Sequence, residues 1–314
     1  MSRFSRSLCS LVVIAATATV AFAQSKAAAV PVNRTQLLKD LQTLSADDME
    51  GRLVGTPGGA KARAFVIDRF KASGIAPLGG SYEHPFEFTS GRGGGGTPRT
   101  GVNVLGVIKG TRTPDRYIVI TAHYDHIGVR NGAIFNGADD NASGTAALFA
   151  LGEYFTAHPP AHSLIFAALD AEESGLQGAR RFVAAPPVPL DQLMININMD
   201  MIGRDANNLL YVVGTHTQPF LKPAIEQIAA AANVTLRMGH DNPDEKGVED
   251  WTRASDHFPF CEAKVPCLYF GVEDFENHHK ATDQYETMTH DFYVRVVQTM
   301  VVAVKAFDDK GVSR

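Results

Sequence analysis

The feature that most constrains the fold is a set of short apolar runs, spaced along the chain from residue 117 onward. Each run is too short for a buried helix and carries no charge. Runs of this kind are typical of strands that are buried on both faces of a sheet. The four runs that we interpret as buried strands are Tyr117–Ala122, Leu164–Leu169, Leu193–Met199 and Pro266–Phe270.

Segments with helical spacing of apolar residues separate or follow these runs. Strands that alternate with helices predict an α/β fold, in which a mainly parallel, mixed central sheet carries helices on both faces. In such sheets the ligand site lies beyond the carboxyl ends of the strands. The predicted helices are Ser143–Thr156, Leu176–Val183, Pro219–Ala232, Asp256–Lys264 and Phe292–Phe307, with two earlier ones at Asn33–Leu44 and Gly59–Ser73.

Histidine and acidic residues stand where the predicted strands end. One further acidic segment, Asn136–Gly144, opens the helix after the first strand. Because parallel strands end at the same edge of a sheet, these side chains are expected to lie near one another. They are His123 and Asp125 after the first strand, Glu172 and Glu173 after the second, Asp200 after the third, and His278 and His279 in the loop after the last.

Each of these residues also has a plain structural interpretation. A single histidine after a strand is usually structural, the Asp139-Asp140-Asn141 segment could cap a helix, and Glu172-Glu173 could be exposed charge. Together, however, several carboxylates in one crevice would repel each other unless cations bind them. A mixed histidine and carboxylate set without cysteine favours zinc, or less specifically manganese or cobalt.

The spacing of His123 and Asp125 adds a detail. A metal-bound imidazole commonly donates its second N–H to a carboxylate, which fixes the orientation of the ring. Asp125 is two residues further along, so in an extended segment it points the same way as His123.

The first 23 residues resemble a secretory signal peptide. Arg3 and Arg6 precede the uncharged apolar run Leu8–Ala21, and Ala21-Phe22-Ala23 supplies a cleavage site. A membrane anchor is the alternative, but the run is shorter than the ~20 residues that span a bilayer. We therefore predict export to the periplasm or the medium, no membrane attachment after cleavage, and a single mature domain over 24–314.

Composition excludes some functions. The formal net charge of −5 argues against nucleic acid binding. The glycine-rich segment Ser90–Gly101 lacks a Gly-Lys-Ser/Thr ending, so we predict a surface loop and not a phosphate-binding loop.

Cys261 and Cys267 could form a disulfide or remain buried thiols, and the sequence leaves both open.

At the strand-end residues the sequence resembles the co-catalytic dizinc aminopeptidases of the bacterial leucyl aminopeptidase and aminopeptidase Y type. The ordered set of motifs carries this resemblance, since each motif alone is weak. The motifs are Glu50-Gly51-Arg52, Gly55-Thr56-Pro57-Gly58, Asn103-Val104-Leu105-Gly106, His123-Tyr124-Asp125-His126, the segment 137–144, Ala171-Glu172-Glu173, the segment 199–203, Ser255-Asp256-His257 and the segment 279–283.

The resemblance implies a phosphorylase/hydrolase-like zinc exopeptidase architecture with two Zn²⁺ ions. It implies peptide substrates with a free amino terminus and Glu172 as general base, and a cis peptide bond after the bridging aspartate, between Asp139 and Asp140. The metal ligands that it implies are Asp139 as the bridge, His123 and Asp200 at one ion, and Glu173 and His279 at the other.

His278 departs from the family, because many relatives carry a tyrosine there that helps to stabilise the oxyanion. The histidine could donate a hydrogen bond in the same place or be an inert surface residue. The resemblance also leads us to expect that Trp251, Phe258 and Phe275 lie around the substrate pocket.

Three other functions are the alternatives. The aminoacylase and carboxypeptidase class inserts a lid domain between the third carboxylate and the last histidine, and the segment from Asp200 to His279 has no room for one. A glutaminyl cyclase would share the fold but hold one zinc. A metal-free binding module would also share it, although every ligand position here holds a competent residue.

Overall fold

The computed structural model describes residues 30–90 and 96–312. The predicted signal peptide, 1–23, lies outside the described residues, as do residues 91–95 of the predicted glycine-rich loop. The helices of the described ranges are α1 Arg34–Leu44, α2 Pro57–Ala72, α3 Gly144–Ala157, α4 Gln177–Ala184, α5 Lys222–Ala231, α6 His257–Glu262 and α7 His290–Lys310.

One large sheet carries nine of the strands, and two short strands form a separate hairpin. The sheet order is β1-β3-β7-β4-β8-β11-β9-β10, and β2 pairs with β3. The strands are β1 Ala76–Pro77, β2 Glu83–Ser90, β3 Thr97–Ile108, β4 Thr113–His123, β5 Val129–Arg130, β6 Ala133–Ile134, β7 His162–Leu169, β8 Leu193–Met199, β9 Leu209–Val213, β10 Thr235–Met238 and β11 Cys267–Gly271.

The four central strands, β7, β4, β8 and β11, run parallel, and they are the four strands predicted from the apolar runs. Antiparallel partners flank them, since β3 pairs with β7 and β9 pairs with β11. The α/β prediction with a mixed sheet is therefore confirmed. The carboxyl ends of the four parallel strands meet at one edge.

Helices cover both faces because successive strand residues point to opposite sides. On β4, Ile118 and Ile120 pack into one core with α1, α2, α3, α5 and α7. Val119, between them, packs into a second core with α4 and α6. Burial on both faces explains why the central strands are apolar throughout.

The outer strands differ from the predictions. Residues 97–101, predicted to be loop, form the start of β3, where they pair with β2. The outer strands β1, β2 and β10 were not predicted, because their residues are partly exposed and lack a continuous apolar run. Strand β9 was not predicted either, although Leu209–Val213 is a continuous apolar run that is mostly buried. The predicted helix Pro219–Ala232 begins only at Lys222, after a short turn.

The two cysteines left open by the sequence are joined. Cys261 and Cys267 form a disulfide, with their Cα atoms 5.6 Å apart. The bond connects the end of α6 to the first residue of β11.

None of the helices in the described ranges has both the length and the apolar character that crossing a bilayer requires.

Candidate metal centre

The strand register brings the predicted polar residues to one place. His123, the last residue of β4, lies opposite Leu169 of β7, and Thr121 lies opposite Asn198 of β8. The residues that follow Leu169 and Met199 therefore flank His123 on both sides.

A first cluster forms around His123. Its Nε2 lies 3.2 Å from Asp200 Oδ1 and 3.4 Å from Asp140 Oδ1. The Glu172 carboxylate belongs to the same group, in which ligand atoms of His123, Glu172 and Asp200 lie within 4.8 Å of one another. The second oxygen of Asp200 accepts a hydrogen bond from Ser255 Oγ at 2.7 Å, which fixes the orientation of the carboxylate.

A second cluster forms around Glu173. His279 Nε2 lies 2.9 Å from Glu173 Oε2 and 3.3 Å from Asp140 Oδ2. His126 Nδ1 lies 2.7 Å from Glu173 Oε1. The two clusters therefore share one residue, Asp140, whose two oxygens face opposite sets of imidazoles.

The shared residue differs from the prediction, which assigned the bridging position to Asp139. Asp139 points away, and its Oδ1 accepts a hydrogen bond from the backbone N–H of Gly203 at 2.7 Å. The predicted cis bond between Asp139 and Asp140 is also wrong, because the cis peptide joins Asp140 to Asn141. Asp140, and not Asp139, is thus the residue that lies between the two clusters.

Asp283 holds the loop that carries Asp140. Both of its oxygens accept hydrogen bonds from the backbone N–H of Asp139, at 2.9 and 3.1 Å. Its Oδ2 also accepts a hydrogen bond from the backbone N–H of Asp140, at 3.0 Å. Arg204 donates a hydrogen bond to Asp283 at 2.7 Å. Because these contacts join residues distant in sequence, the loop position depends on the assembled fold.

Arg52 also supports the loop that carries Asp140, and its side chain is completely buried. Its guanidinium donates hydrogen bonds to the carbonyl oxygens of Tyr124, Asn136 and Gly137 at 2.8, 2.5 and 2.9 Å. Burial lowers the pKa of Arg52 to about 10, against the opposing effect of Asp140 and other nearby carboxylates. The arginine therefore ties the segment after β4 to the segment before α3.

Asp125 lies beside the predicted ligand His123. His123 Nδ1 is 3.1 Å from the backbone carbonyl oxygen of Asp125 and 3.7 Å from its Oδ1. The same carboxylate accepts a hydrogen bond from the backbone N–H of Glu172 at 3.0 Å. Asp125 therefore connects the ends of β4 and β7, and its carbonyl oxygen is the closer partner of the imidazole.

The charges of the clusters require compensation. Burial opposes ionisation of Asp140, yet the neighbouring imidazoles of His126, His123 and His279 outweigh it and hold its pKa well below the ordinary value. Hydrogen bonds to Asp140 and Glu173 raise the pKa of His279 to about 10. The carboxylates thus draw positive charge into the site, which is the role a divalent cation would take.

Asp139 shows the opposite behaviour. Burial raises its pKa well above the ordinary value, although Arg204 opposes the shift. A carboxyl group that favours its neutral form is a poor metal ligand, because binding requires the deprotonated oxygen. This agrees with the orientation of Asp139 toward Gly203.

A cavity of about 190 Å³ opens beside the two clusters. His278 and His279 lie at its mouth, with 46% and 47% of their side chains exposed. His278 Nε2 is 3.6 Å from Asp140 Oδ2. Of the expected pocket residues, Trp251 and Phe275 line the cavity, but Phe258 does not and instead lies under the guanidinium of Arg253.

Sequence reasoning missed two further residues of the site. His126 is completely buried in the second cluster, and Asp256 is completely buried close to His123 and Asp200. Both residues belong to motifs that carry the family resemblance, which assigns neither of them a role. The signal for His126 was its position in His123-Tyr124-Asp125-His126, three residues after a predicted ligand.

The donor set fits divalent zinc. Histidine nitrogens and carboxylate oxygens form three groups, two of which share Asp140, and among the described residues no cysteine lies in any of them. Glu173 Oε1 is buried and makes no hydrogen bond. Buried carboxylate oxygens are normally hydrogen-bonded or bound to metal, so this atom indicates a ligand site.

Comparison with known proteins supports this interpretation. A "Probable zinc metalloprotease" of the fungus Pyrenophora tritici-repentis is 28% identical over 59% of this chain, which spans only 48% of the fungal protein. The structure of a zinc aminopeptidase from Bacillus subtilis is 17% identical with a TM-score of 0.71, covering 88% of this chain and 98% of that one. The structure of a glutaminyl cyclase from an Acidobacteriales bacterium is 24% identical with a TM-score of 0.68. The match covers 94% of this chain and 100% of that one.

The two solved structures show the fold, since both are less than 25% identical to this chain. The family match is more specific, because the sequence model of peptidase family M28 matches residues 103–304, which include both clusters. This match covers more than half of the chain, so the protein belongs to peptidase family M28.

Proposed function

We propose that this protein is an aminopeptidase that hydrolyses the first peptide bond of peptides with a free amino terminus, using two divalent metal ions. The observation that carries the proposal is the position of Asp140. Its Oδ1 faces His123 and its Oδ2 faces His279, at 3.4 and 3.3 Å. A carboxylate with its two oxygens directed at separate donor sets is what a bridged pair of ions requires.

The proposed ligands follow from the two clusters. One ion would be held by His123, Asp200 and Asp140, and the other by Glu173, His279 and Asp140. Zinc is the ion that these donors fit best, with manganese or cobalt as substitutes. When bound, such ions lower the pKa of water and polarise the carbonyl group of the peptide bond.

Glu172 is the proposed general base. Burial raises the pKa of its carboxyl group well above the ordinary value; His123 opposes this shift, while Asp256 and Asp200 reinforce it. A carboxylate of raised pKa can take the proton of the attacking water and return it to the departing amine. Neighbouring side chains point apart, so Glu173 can bind metal while Glu172 faces the cavity.

The cavity supports the choice of substrate end. Carboxylates of Glu172 and Asp200 lie at its inner side, where they would attract a protonated α-amine. Trp251, Tyr269 and Phe275 line the remaining walls and would contact the first side chain of the substrate. An acetylated substrate has no charge at its amino end and would lose the attraction.

The test of the proposal is the Glu172→Gln variant. We expect hydrolysis of amino-acid anilides to fall by ~10²–10⁴-fold, because the proton carrier is lost, while zinc content stays near that of the unmodified enzyme. Exposed Glu286→Gln is the matched control and should keep full activity. Unchanged turnover of Glu172→Gln would refute the role of the base, and equal hydrolysis of N-acetylated anilides would refute the amino-end specificity.

Cyclisation of amino-terminal glutamine is the second candidate, favoured by the structural likeness to a glutaminyl cyclase over its full length. A peptide that begins with glutamine separates the two reactions. Aminopeptidase activity releases free glutamine and a shortened peptide, whereas cyclisation releases ammonia and keeps the peptide length. Mass spectrometry of the products decides between them.

We also propose that the protein is exported and cleaved after Ala23. The supporting feature is the charged start followed by the apolar run of residues 8–21. Amino-terminal sequencing of material from the cell envelope and the medium tests this. A first residue other than Gln24 would contradict the cleavage site.

A further inference from the structure

His126 belongs to the second cluster but has no part in the mechanism above. Its side chain is completely buried, and it stands three residues after His123. The ring lies against Gly137, where an added Cβ would be 2.5 and 2.6 Å from His126 Cδ2 and Cγ. Only glycine leaves room for the imidazole at this place.

Four side chains converge where His126 points. Its Nδ1 lies 2.7 Å from Glu173 Oε1 and 3.7 Å from Asp140 Oδ2. On the other side, His279 Nε2 lies 2.9 Å from Glu173 Oε2 and 3.3 Å from Asp140 Oδ2. Ligand atoms of His126, Asp140 and Glu173 all lie within 4.8 Å of one another.

The close approach of His126 to Glu173 lacks the angle of a well-formed hydrogen bond. Although the two atoms are 2.7 Å apart, neither His126 Nδ1 nor Glu173 Oε1 has a hydrogen-bond partner of acceptable geometry in the described part of the chain. A hydrogen bond weakens steeply when the N–H points away from its acceptor. Two buried atoms that lie close without pairing are arranged as two ligands of one cation are.

We propose that His126 binds, through Nδ1, the metal ion held by Asp140, Glu173 and His279. The proposal rests on the metal centre of the proposed function. It makes the two positions unequal, since this ion has four protein ligands and the ion beside His123 has three. Four protein ligands are typical of closed, firmly held zinc, whereas three leave an open position for a reactant.

The consequence is a division of labour within the pair. The ion beside His126 would be bound more tightly and released last on chelation. The ion at His123, Asp200 and Asp140 would exchange first and lie nearer to Glu172, the proposed base. Partial chelation should therefore leave about one ion per chain before the second is lost.

The test measures metal binding to the full chain, with the metal removed and restored. Zinc affinities of the unmodified enzyme, His126→Ala and His126→Asn are measured by competition with a chromophoric chelator. Visible absorption spectra of the cobalt-loaded proteins report the ligands directly. His158→Ala is the matched control, because this histidine is exposed and lies outside the groups of possible metal ligands among the described residues.

We expect His126→Ala to weaken the tighter site by at least ~100-fold, the upper end of what loss of an outer hydrogen-bond partner costs, and to change the cobalt spectrum. His126→Asn keeps a hydrogen-bond donor but loses the imidazole nitrogen, so it should also give an altered spectrum. His158→Ala should match the unmodified enzyme in both measurements.

Two results would overturn the proposal. One is an unchanged affinity of the tighter site in His126→Ala, provided that this variant, free of metal, melts like the unmodified protein free of metal. The other is full recovery of affinity and spectrum in His126→Asn, which would make His126 only a positioning residue for Glu173. Binding of less than two ions by the unmodified enzyme would instead count against the two-metal centre, while His126 could still be judged at the remaining ion.

Discussion

Asp139 and Asp140 are neighbours in sequence, yet their carboxylates lie in different environments. Asp140 faces three imidazoles that favour its ionised form, whereas Asp139 accepts a backbone hydrogen bond and favours its neutral form. The difference arises from side-chain direction, since both residues are completely or almost completely buried. At this scale, the partners of each atom decide which carboxylate can bind metal.

A residue outside the metal clusters should control stability at low pH. His257 is buried, with its ring stacked on Tyr269, and burial lowers its pKa to about 4. The unfolded chain has the ordinary histidine pKa of ~6.5. Between these two values the unfolded chain binds a proton that the folded protein does not, so stability falls as pH falls.

We expect this one residue to cost about 2 kcal/mol of unfolding free energy between pH 7.5 and 5.0. Urea unfolding of the unmodified protein and of His257→Phe, both in chelator, measures it. When the pH is lowered from 7.5 to 5.0, the unfolding free energy of His257→Phe should rise by about 2 kcal/mol relative to that of the unmodified protein. A difference between the two proteins that does not change with pH would contradict the assignment.

At the scale of elements, the site is built from the ends of β4, β7 and β8 and from the loops after β11 and before α3. The strand ends are fixed by sheet register. The loops are fixed by Arg52 and Asp283, which bond to backbone groups around Asp140. Loss of these contacts should displace Asp140 without touching any metal ligand.

The disulfide between α6 and β11 gives an element-scale prediction. It closes a loop with a sequence separation of 6, for which loop-closure entropy gives a stabilisation of about 2 kcal/mol. We therefore expect a reductant to lower the unfolding free energy of the unmodified protein by that amount in urea titrations.

The control is the double variant Cys261→Ala, Cys267→Ala. Its unfolding free energy should be the same with and without reductant. Equal unfolding midpoints of the unmodified protein with and without reductant would count against the bond. Mass measurement after alkylation under denaturing conditions establishes which state was present at the start.

For the whole molecule, the metal centre links distant parts of the chain. The proposed ligands come from residues 123 to 279, and their carboxylates repel one another when no cation is present. Metal that binds only the folded chain stabilises it by mass action. The unfolding equilibrium of the entire protein should therefore depend on free zinc.

We expect chelation to lower the melting temperature and zinc to restore it. At a free zinc concentration one hundred times Kd, each site should contribute about 2.7 kcal/mol. Calorimetry over a series of buffered zinc concentrations measures this, and magnesium, which prefers oxygen ligands alone, is the control. A melting temperature that changes neither with chelator nor with zinc would contradict the proposed metal centre.

Much of the architecture was predictable because its signals are local. The apolar runs of β4, β7, β8 and β11 each appear within a few consecutive residues, and the residues that follow them were correctly expected at one edge. The outer strand β10 was missed, since its residues are mostly exposed and it depends on β9 for pairing. Strand β9 was missed although its residues form a buried apolar run.

The sequence by itself determined the alternation of the four central strands with helices, the edge at which polar residues gather and the kinds of side chain available there. Only the tertiary structure decided that Asp140 and not Asp139 faces both clusters, that His126 joins Glu173, and that the two cysteines pair. The physical reason is that a loop side chain takes its direction from backbone angles, and contacts with residues far away in sequence hold those angles in place.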